Sequence, residues 1–342
     1  MVHKQLKLTY AIKDGNGISI SEVEKGLKCG CICPACGEAV VAKKGEKVMH
    51  HFAHYSGSNC EYGYESSLHL AAKEILSNVT EITIPAVYLV FSSTYKEKEL
   101  ISEPKVIKID NVELEKRFDS IIPDIVVHSG KKKLFIEIFV THRVDEDKIK
   151  RIKENGVSTI EIDLSAKETT ITNEELKNIL VNDSEEKYWI YNTIAEQKLQ
   201  QFYKNAEFKE CIHRGLAVHI DYCPLKMRVW RGKPYANYFD DCIYCEYCIS
   251  ADSNGGVHCT GKQLISKTSD FNTNYEERKA LKEARKKEAD DKAITDGLCP
   301  KCGWPLVTRQ SDYGSFLGCS NYPYCKFKAI PDRTTGELIV KE

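Results

Sequence analysis

The chain has 342 residues, 42% of them hydrophobic, with 49 Lys and Arg against 50 Asp and Glu for a formal net charge of −1. That composition supports real cores; it excludes a disordered chain and a uniformly basic nucleic-acid coat while leaving room for local basic patches. No apolar run approaches the roughly 18–20 residues that span a bilayer, and the N-terminal stretch lacks the apolar segment of a secretory signal. A cytoplasmic protein with no membrane partner is therefore expected.

The 15 cysteines are the unusual feature. An odd number in a long chain without an export signal argues against a disulfide framework. They form three islands, 29–60, 211–259 and 299–325, around a cysteine-free stretch. Three zinc modules flanking one larger domain are the simplest reading.

In chain order, 1–28 reads as strands and turns, with LKLTYAI and GISISEV around an Asp14-Gly15-Asn16-Gly17 turn. The segment 66–76 carries a helical apolar stripe at Leu68, Ala71, Ala72, Ile75 and Leu76. The stretches 81–91, 105–109, 121–128, 132–140 and 157–164 are strand-like, and the near-continuous apolar runs among them suit a buried sheet. Residues 145–156 form a helix closed by Gly156, and 172–180 form another capped by Thr172 or Asn173. Residues 185–210 also read as helical. The segment 276–292 carries 13 charges in 17 positions and reads as a solvated helical linker. The expected organisation is a small module over 1–63, an α/β core over 64–180, a helical segment with a cysteine-rich module over 181–270, a linker over 271–294 and a ribbon over 295–342.

In the last island the spacing Cys299-x2-Cys302-x16-Cys319-x5-Cys325 brings four thiolates from two loops, as a tetrahedral zinc site requires. So short a segment with little apolar content needs such a staple. In the first island Cys33-x2-Cys36 is a thiolate pair. His51 and His54 are the first choice to complete it, with Cys60 the substitute for either. In the middle island Cys223, Cys242, Cys245 and Cys259 are the favoured ligands, with Cys248 the alternative. Two or three structural Zn²⁺ ions are thus expected. Arg228, Arg231, Lys233, Trp230 and Tyr235 offer either a nucleic-acid face or a solvated hairpin.

The cysteine-free stretch carries Pro123-Asp124 at the start of one strand and Glu137 in the next. Neighbouring strands can set two carboxylates side by side, and a hard divalent cation takes oxygen ligands. Glu137 lies in the apolar run Phe135-Ile136-Glu137-Ile138-Phe139, where an acid is costly unless it is bound or paired. Catalytic Mg²⁺ or Mn²⁺ is expected at this pair. Glu161 and Asp163 are given no catalytic role.

Two resemblances sharpen the reading. The Cys-Pro-Lys-Cys-Gly opening, Leu306-Val307-x-Arg309, Gly314-x-Phe316-x-Gly318-Cys319-Ser320 and Tyr322-Pro323-x-Cys325 resemble the zinc ribbon repeated at the C-terminus of bacterial type I topoisomerases. That likeness implies DNA as a partner, single-stranded DNA included, with Arg309, Tyr322 and Tyr324 making phosphate and stacking contacts. The run Cys29-Gly30-Cys31-x-Cys33-Pro34-x-Cys36-Gly37, then His50-His51-Phe52-Ala53-His54, then Glu65-x-x-Leu68-His69-x-x-x-Lys73, resembles the competence protein CoiA-like nuclease family over about residues 1–165.

The second resemblance implies a PD-(D/E)XK-like α/β core of order αβββαβ, with Glu65, Asp124 and Glu137 as its acids. Phe139 stands where that core carries Lys. The family's Thr-His and following helical Lys fall on Thr141, His142 and Lys148, so His142 and Lys148 join the catalytic set. The implied activity is metal-dependent DNA hydrolysis in competence, recombination, repair or defence. The alternative is a nucleic-acid-binding adaptor whose nuclease core has lost catalysis.

Overall fold

The computed structural model describes residues 8–46, 49–58, 60, 62–92, 94–165, 171–312, 314–331 and 338–341. Of the expected N-terminal strand over 6–12, residues 6 and 7 lie outside this set. Backbone proximity divides the chain into two units: Met1–Ser92 with Glu97–Lys204, and Ser93–Lys96 with Asn205–Glu342. Among the described residues no helix is long and apolar enough to cross a membrane.

The first unit opens with two hairpins. Strand β1 (Tyr10–Lys13) pairs with β2 (Asn16–Ser19), and β3 (Val40–Lys43) pairs with β4 (His51–His54). Helix α1 (Gly63–Ser77) follows, burying Leu68, Ala71, Ala72 and Leu76 on one side. Ser67 Oγ bridges the Tyr10 backbone, accepting from its N–H and donating to its carbonyl, both at 3.0 Å. Gly17 is a true close approach: a Cβ there would sit 2.9 Å from Leu70 Cδ1 of α1. The stretches 81–91 and 105–109 do not enter the main sheet. Instead β5 (Glu81–Ile84), β6 (Val87–Leu89), β7 (Glu99–Ser102) and β8 (Lys105–Lys108) nest as two antiparallel ladders, β5 with β8 and β6 with β7.

The main sheet contains β9 (Asn111–Leu114), β10 (Ile125–Ser129), β11 (Lys132–Phe139), β12 (Thr159–Asp163) and β13 (Lys187–Tyr191), in the order β13-β12-β11-β10-β9. All pairings are antiparallel except β11 with β12, whose crossover contains α2 (Glu146–Asn155). Asp145 caps α2 by accepting from Lys148 N–H, and Gly156 ends it in the left-handed conformation at φ 65°. Ile125, Ile136, Ile160 and Ile162 share one core with α1, with Leu176 and Leu180 of α3 (Asn173–Val181), and with Tyr10, Val40 and Phe52 of the hairpins. On the opposite face Val126 and Phe135 pack with Ile152 of α2. The expected helix over 185–210 begins later than the sequence pattern suggested. Residues 187–191 extend the sheet as β13, and Asn192 then starts α4 (Thr193–Asn205) by accepting from Ile194 and Ala195 N–H.

The second unit contains a three-stranded sheet of β14 (Glu207–Glu210), β20 (Gly256–Cys259) and β19 (Cys248–Asp252). A four-stranded sheet has the order β15 (Ile212–Arg214), β16 (Ala217–Asp221), β18 (Lys233–Asn237), β17 (Arg228–Trp230). Helix α5 (Tyr275–Thr295) is the charged linker, capped by Asn274 and Glu277. The final sheet runs β21 (Leu306–Ser311), β22 (Gly314–Cys319), β23 (Lys328–Pro331), β24 (Leu338–Lys341).

Candidate active site and metal centres

The β10–β11 register pairs Ile125 with Ile136, which sets Asp124 across from Glu137 at the end of the sheet where β10 begins. Asp124 Oδ2 accepts from Ile138 N–H at 2.9 Å. Glu137 is 3% exposed. Its Oε2 accepts from Lys148 Nζ of α2 at 2.7 Å, while Oε1 is buried with no hydrogen-bond partner. Burial pushes its carboxyl up to about 7, with the Asp124 charge adding to the rise and Lys148 opposing it. An orphaned, buried carboxylate oxygen beside a second carboxylate is a donor arrangement that suits a hard cation.

Helix α1 presents Glu65, His69 and Lys73 on one face, four residues apart, toward this end. His69 Nδ1 lies 3.6 Å from Asp124 Oδ2. Lys73 Nζ lies 2.7 Å from Glu115 and 3.9 Å from Asp124 Oδ1. Glu65 accepts from Thr141 Oγ1 at 2.5 Å and lies 3.9 Å from His142 Nδ1. The structure thus gathers Glu65, Asp124, Glu137, His142 and Lys148 at one end of the sheet. Burial lowers the pKa of His69, against the pull of Asp124. Glu115 and Lys73 complete the surround; Glu115 carries no signal in the sequence that would have marked it.

Phe139 is covered by the Arg143 guanidinium, 4.7 Å from its ring centroid. Lys148, eleven residues beyond Glu137, sets its ammonium on that carboxylate, while Lys73 lies nearer Asp124. Next to it Arg117, Lys148 and Arg151 line a cleft with Ser120, Ile121 and Ile122. Glu161 lies beside Glu137 in the β11–β12 register and is buried against Val144 N–H and Arg143.

Among the described residues, two groups of four metal-ligating side chains have all their ligand atoms within 4.8 Å of one another. One is Cys33, Cys36, His54 and Cys60; the other is Cys299, Cys302, Cys319 and Cys325. Zn–S bonds of about 2.3 Å in a tetrahedron place sulfurs about 3.8 Å apart. Cys299 and Cys325 sulfurs are 3.7 Å apart, and those of Cys302 and Cys319 are 3.4 Å apart. Cys36 Sγ is 3.3 Å from His54 Nε2. Both donor sets fit Zn²⁺, and the chain has these two zinc-binding sites. Gly37 and Gly303 follow the two knuckles at φ 72° and 73°, each donating its N–H to the carbonyl of the knuckle's first cysteine.

His51, expected beside His54, stands outside the first group. Residues three apart on a strand face opposite sides, and on β4 His51 Nδ1 turns to the Met49 carbonyl at 2.9 Å. Cys60 takes its place, five positions ahead of Glu65, so this centre ties the N-terminal hairpins to the start of α1. Cys29 and Cys31 are core residues whose thiols donate to the carbonyls of Val40 and Cys29. The middle cysteines do not form a third group of that tightness.

In the C-terminal ribbon the core is Phe327, Ala329, Leu306 and Leu317 around the cysteines, with Ile294. Tyr322 and Tyr324 are exposed, Tyr324 by 90%, and Trp304 is exposed beside the knuckle. Arg309 donates to the Cys319 carbonyl at 3.2 Å and lies 5.5 Å from the Tyr322 ring centroid. In the middle unit Arg228 is engaged by Asp240 and Asp241, whereas Trp230 is exposed with Arg231 4.7 Å from its ring.

Comparison with known proteins matches two segments. Residues 17–63 match the family of the competence protein CoiA N-terminal domain, and residues 296–333 match the topoisomerase DNA-binding C4 zinc finger family. DNA topoisomerase 1 of Methanocaldococcus jannaschii is 56% identical over 32 residues, 9% of this chain and 4% of that protein. DNA topoisomerase 1 of Archaeoglobus fulgidus is 45% identical over 64 residues, 18% of this chain and 9% of that protein. The uncharacterized Escherichia coli protein YrdD is 43% identical over 42 residues, 12% of this chain and 23% of that protein. The chain thus spans less than a tenth of the length of these two topoisomerases. No solved structure matches it significantly.

Proposed function

We propose that the chain is a divalent-metal-dependent nuclease that hydrolyses phosphodiester bonds in DNA. The observation that carries this is the buried, unpartnered Oε1 of Glu137 set across from Asp124, with Lys148 on the other oxygen. The helix–strand order through α1, β9, β10, β11, α2 and β12, with two ladders inserted after α1, supports a PD-(D/E)XK-like core. The CoiA-like first module and the topoisomerase-like ribbon support DNA as the partner, with Arg309, Tyr322 and Tyr324 at the contact.

Asp124 and Glu137 would hold a Mg²⁺ or Mn²⁺ ion. When bound, such an ion polarises the phosphorus–oxygen bond and lowers the pKa of a water. Lys148 favours the ionised form of Glu137 and sets a positive charge where negative charge grows on the phosphate. His69 and Lys73 hold Asp124 from the α1 side, and Glu65, fixed by Thr141, lies with His142 at the same end. Arg117 and Arg151 extend the positive lining away from Lys148, in a direction suited to neighbouring backbone phosphates.

Phe139 favours the second reading, an adaptor that binds nucleic acid without cleaving it. Incubating the zinc-loaded full chain with linear, supercoiled and single-stranded DNA and with RNA, in Mg²⁺ or Mn²⁺, separates the two. Cleavage of DNA that is abolished by EDTA supports the nuclease. Binding without cleavage in every metal supports the adaptor and refutes the nuclease.

A further inference from the structure

The middle module has six cysteines, two more than a tetrahedral site uses. Cys223 follows β16, Cys242 and Cys245 lie on a single turn after β18, Cys248 opens β19, and Cys259 closes β20. These five line one cavity together with Leu225 and Val257. Cys211, between β14 and β15, does not line it.

The direction of their hydrogen bonds sorts them. A metal ligand is a thiolate, which accepts hydrogen bonds, whereas a thiol outside a site donates its S–H. The C-terminal zinc site shows the rule within this chain: Cys319 accepts from Asn321 N–H at 3.4 Å, two residues on. Cys29 and Cys31, which belong to neither site, donate to carbonyls at 3.3 and 3.4 Å.

In the middle module Cys259 accepts from Gly261 N–H, again two residues on, at 3.3 Å. Cys248 instead donates to the Ser250 carbonyl at 3.5 Å, and Cys211 to the Asp252 carbonyl at 3.4 Å. Cys242 stands to Cys245 as Cys299 stands to Cys302, the second cysteine's N–H donating to the first one's carbonyl at 3.0 and 3.3 Å; Cys248 N–H donates to the Cys245 carbonyl in the same way at 2.9 Å, so the turn admits all three and only the outward S–H of Cys248 sets it apart. Cys223 is then the one cavity-lining cysteine left to complete four.

We propose that Cys223, Cys242, Cys245 and Cys259 ligate a third structural Zn²⁺, and that Cys248 and Cys211 take no part. The four sulfurs are spaced more widely than in the two closed groups, so ligation draws them together around the cavity they line. Zinc suits an all-thiolate set in which every position is filled by protein. The site would fasten the β14-β20-β19 sheet to the β15-β16-β18-β17 sheet, because its ligands come from the ends of β16 and β20 and from the turn between β18 and β19.

Metal content of the full chain, measured by plasma mass spectrometry after exhaustive dialysis, tests this. Wild-type protein should carry three zinc ions. Cys223→Ser and Cys259→Ser should each carry two, and Cys248→Ser and Cys211→Ser should keep three. Wild-type protein with two zinc ions, iron in place of the third, or a zinc lost from Cys248→Ser while Cys259→Ser keeps three, would overturn it. Should the ligand variants fail to fold, exchange of the wild type with Co²⁺ gives an independent count. Three tetrahedral Co²⁺ ions per chain support the site, and two refute it.

Discussion

Glu137 is where the proposed function and stability oppose each other. Its carboxyl rises from an ordinary 4.5 to about 7 in the fold, chiefly through burial. The native state therefore holds a proton that the unfolded chain has released, and stability falls as pH climbs from about 4.5 to about 7. At about 1.4 kcal/mol per tenfold, the penalty is about 1.4 kcal/mol at pH 5.5 and about 3.4 kcal/mol at pH 8.5. Glu137→Gln removes the titration but leaves Lys148, a quarter exposed, without its partner, which offsets part of the gain. The substitution should stabilise the first unit, and its advantage over wild type should grow by about 2 kcal/mol between pH 5.5 and pH 8.5. For a unit of this size that growth is about 4–8 °C in Tm. Paired urea and thermal unfolding of wild type and variant across that range measures it. A constant difference, or one that shrinks as pH rises, would mean that the fold does not raise the Glu137 carboxyl.

Three further outcomes follow from the geometry. Lys148→Ala should slow cleavage by about 100- to 1000-fold with little change in DNA affinity, as for loss of one preorganised charge at the reacting group. Lys148→Arg, which keeps a cation within reach of Glu137, should retain more of the rate; equal loss in both variants would argue against a charge role. Gly256→Ala would drive a Cβ into the Lys209 carbonyl and place it 2.7 Å from the Phe208 ring. It should therefore destabilise the second unit by about 1–3 kcal/mol in chemical denaturation, and an unchanged midpoint would contradict that packing. Cys302→Ser should unfold the ribbon, whose own apolar core is small, giving rapid proteolysis of 296–331 while the first unit stays intact; a protease-resistant ribbon would show that zinc is not its staple.

Legibility followed sequence distance. The two-residue spacings Cys33–Cys36 and Cys299–Cys302 fix a local turn, so both knuckles could be read directly. Asp124 and Glu137 are joined by one tight hairpin, so their adjacency also followed from the strand pattern, and Gly156 marked the end of α2. The choice between His51 and Cys60 was not legible because it depends on which side of β4 each histidine faces, and a helix-like spacing misleads on a strand. Strand β13 was hidden inside an apparently helical stretch. Asn192 was the one local signal there, since it caps a helix that starts only after the strand ends. Lys148 entered the expected set through the family resemblance alone, because it lies in a mainly polar helix and its reach to Glu137 depends on how α2 packs over the sheet through Ile152 and Phe135. Glu115 meets Lys73 across 42 residues, through a pairing that no local pattern records.

Cleavage by the Asp124–Glu137 pair is tested by comparing wild-type chain with Asp124→Asn on a single end-labelled DNA substrate in Mn²⁺, at equal zinc content and matched thermal stability. The wild type should cut the strand, and Asp124→Asn should bind the DNA with similar affinity but leave it whole. Equal cleavage by both proteins would place the chemistry elsewhere. No cleavage by the wild type would leave a nucleic-acid-binding protein built around a silent carboxylate pair.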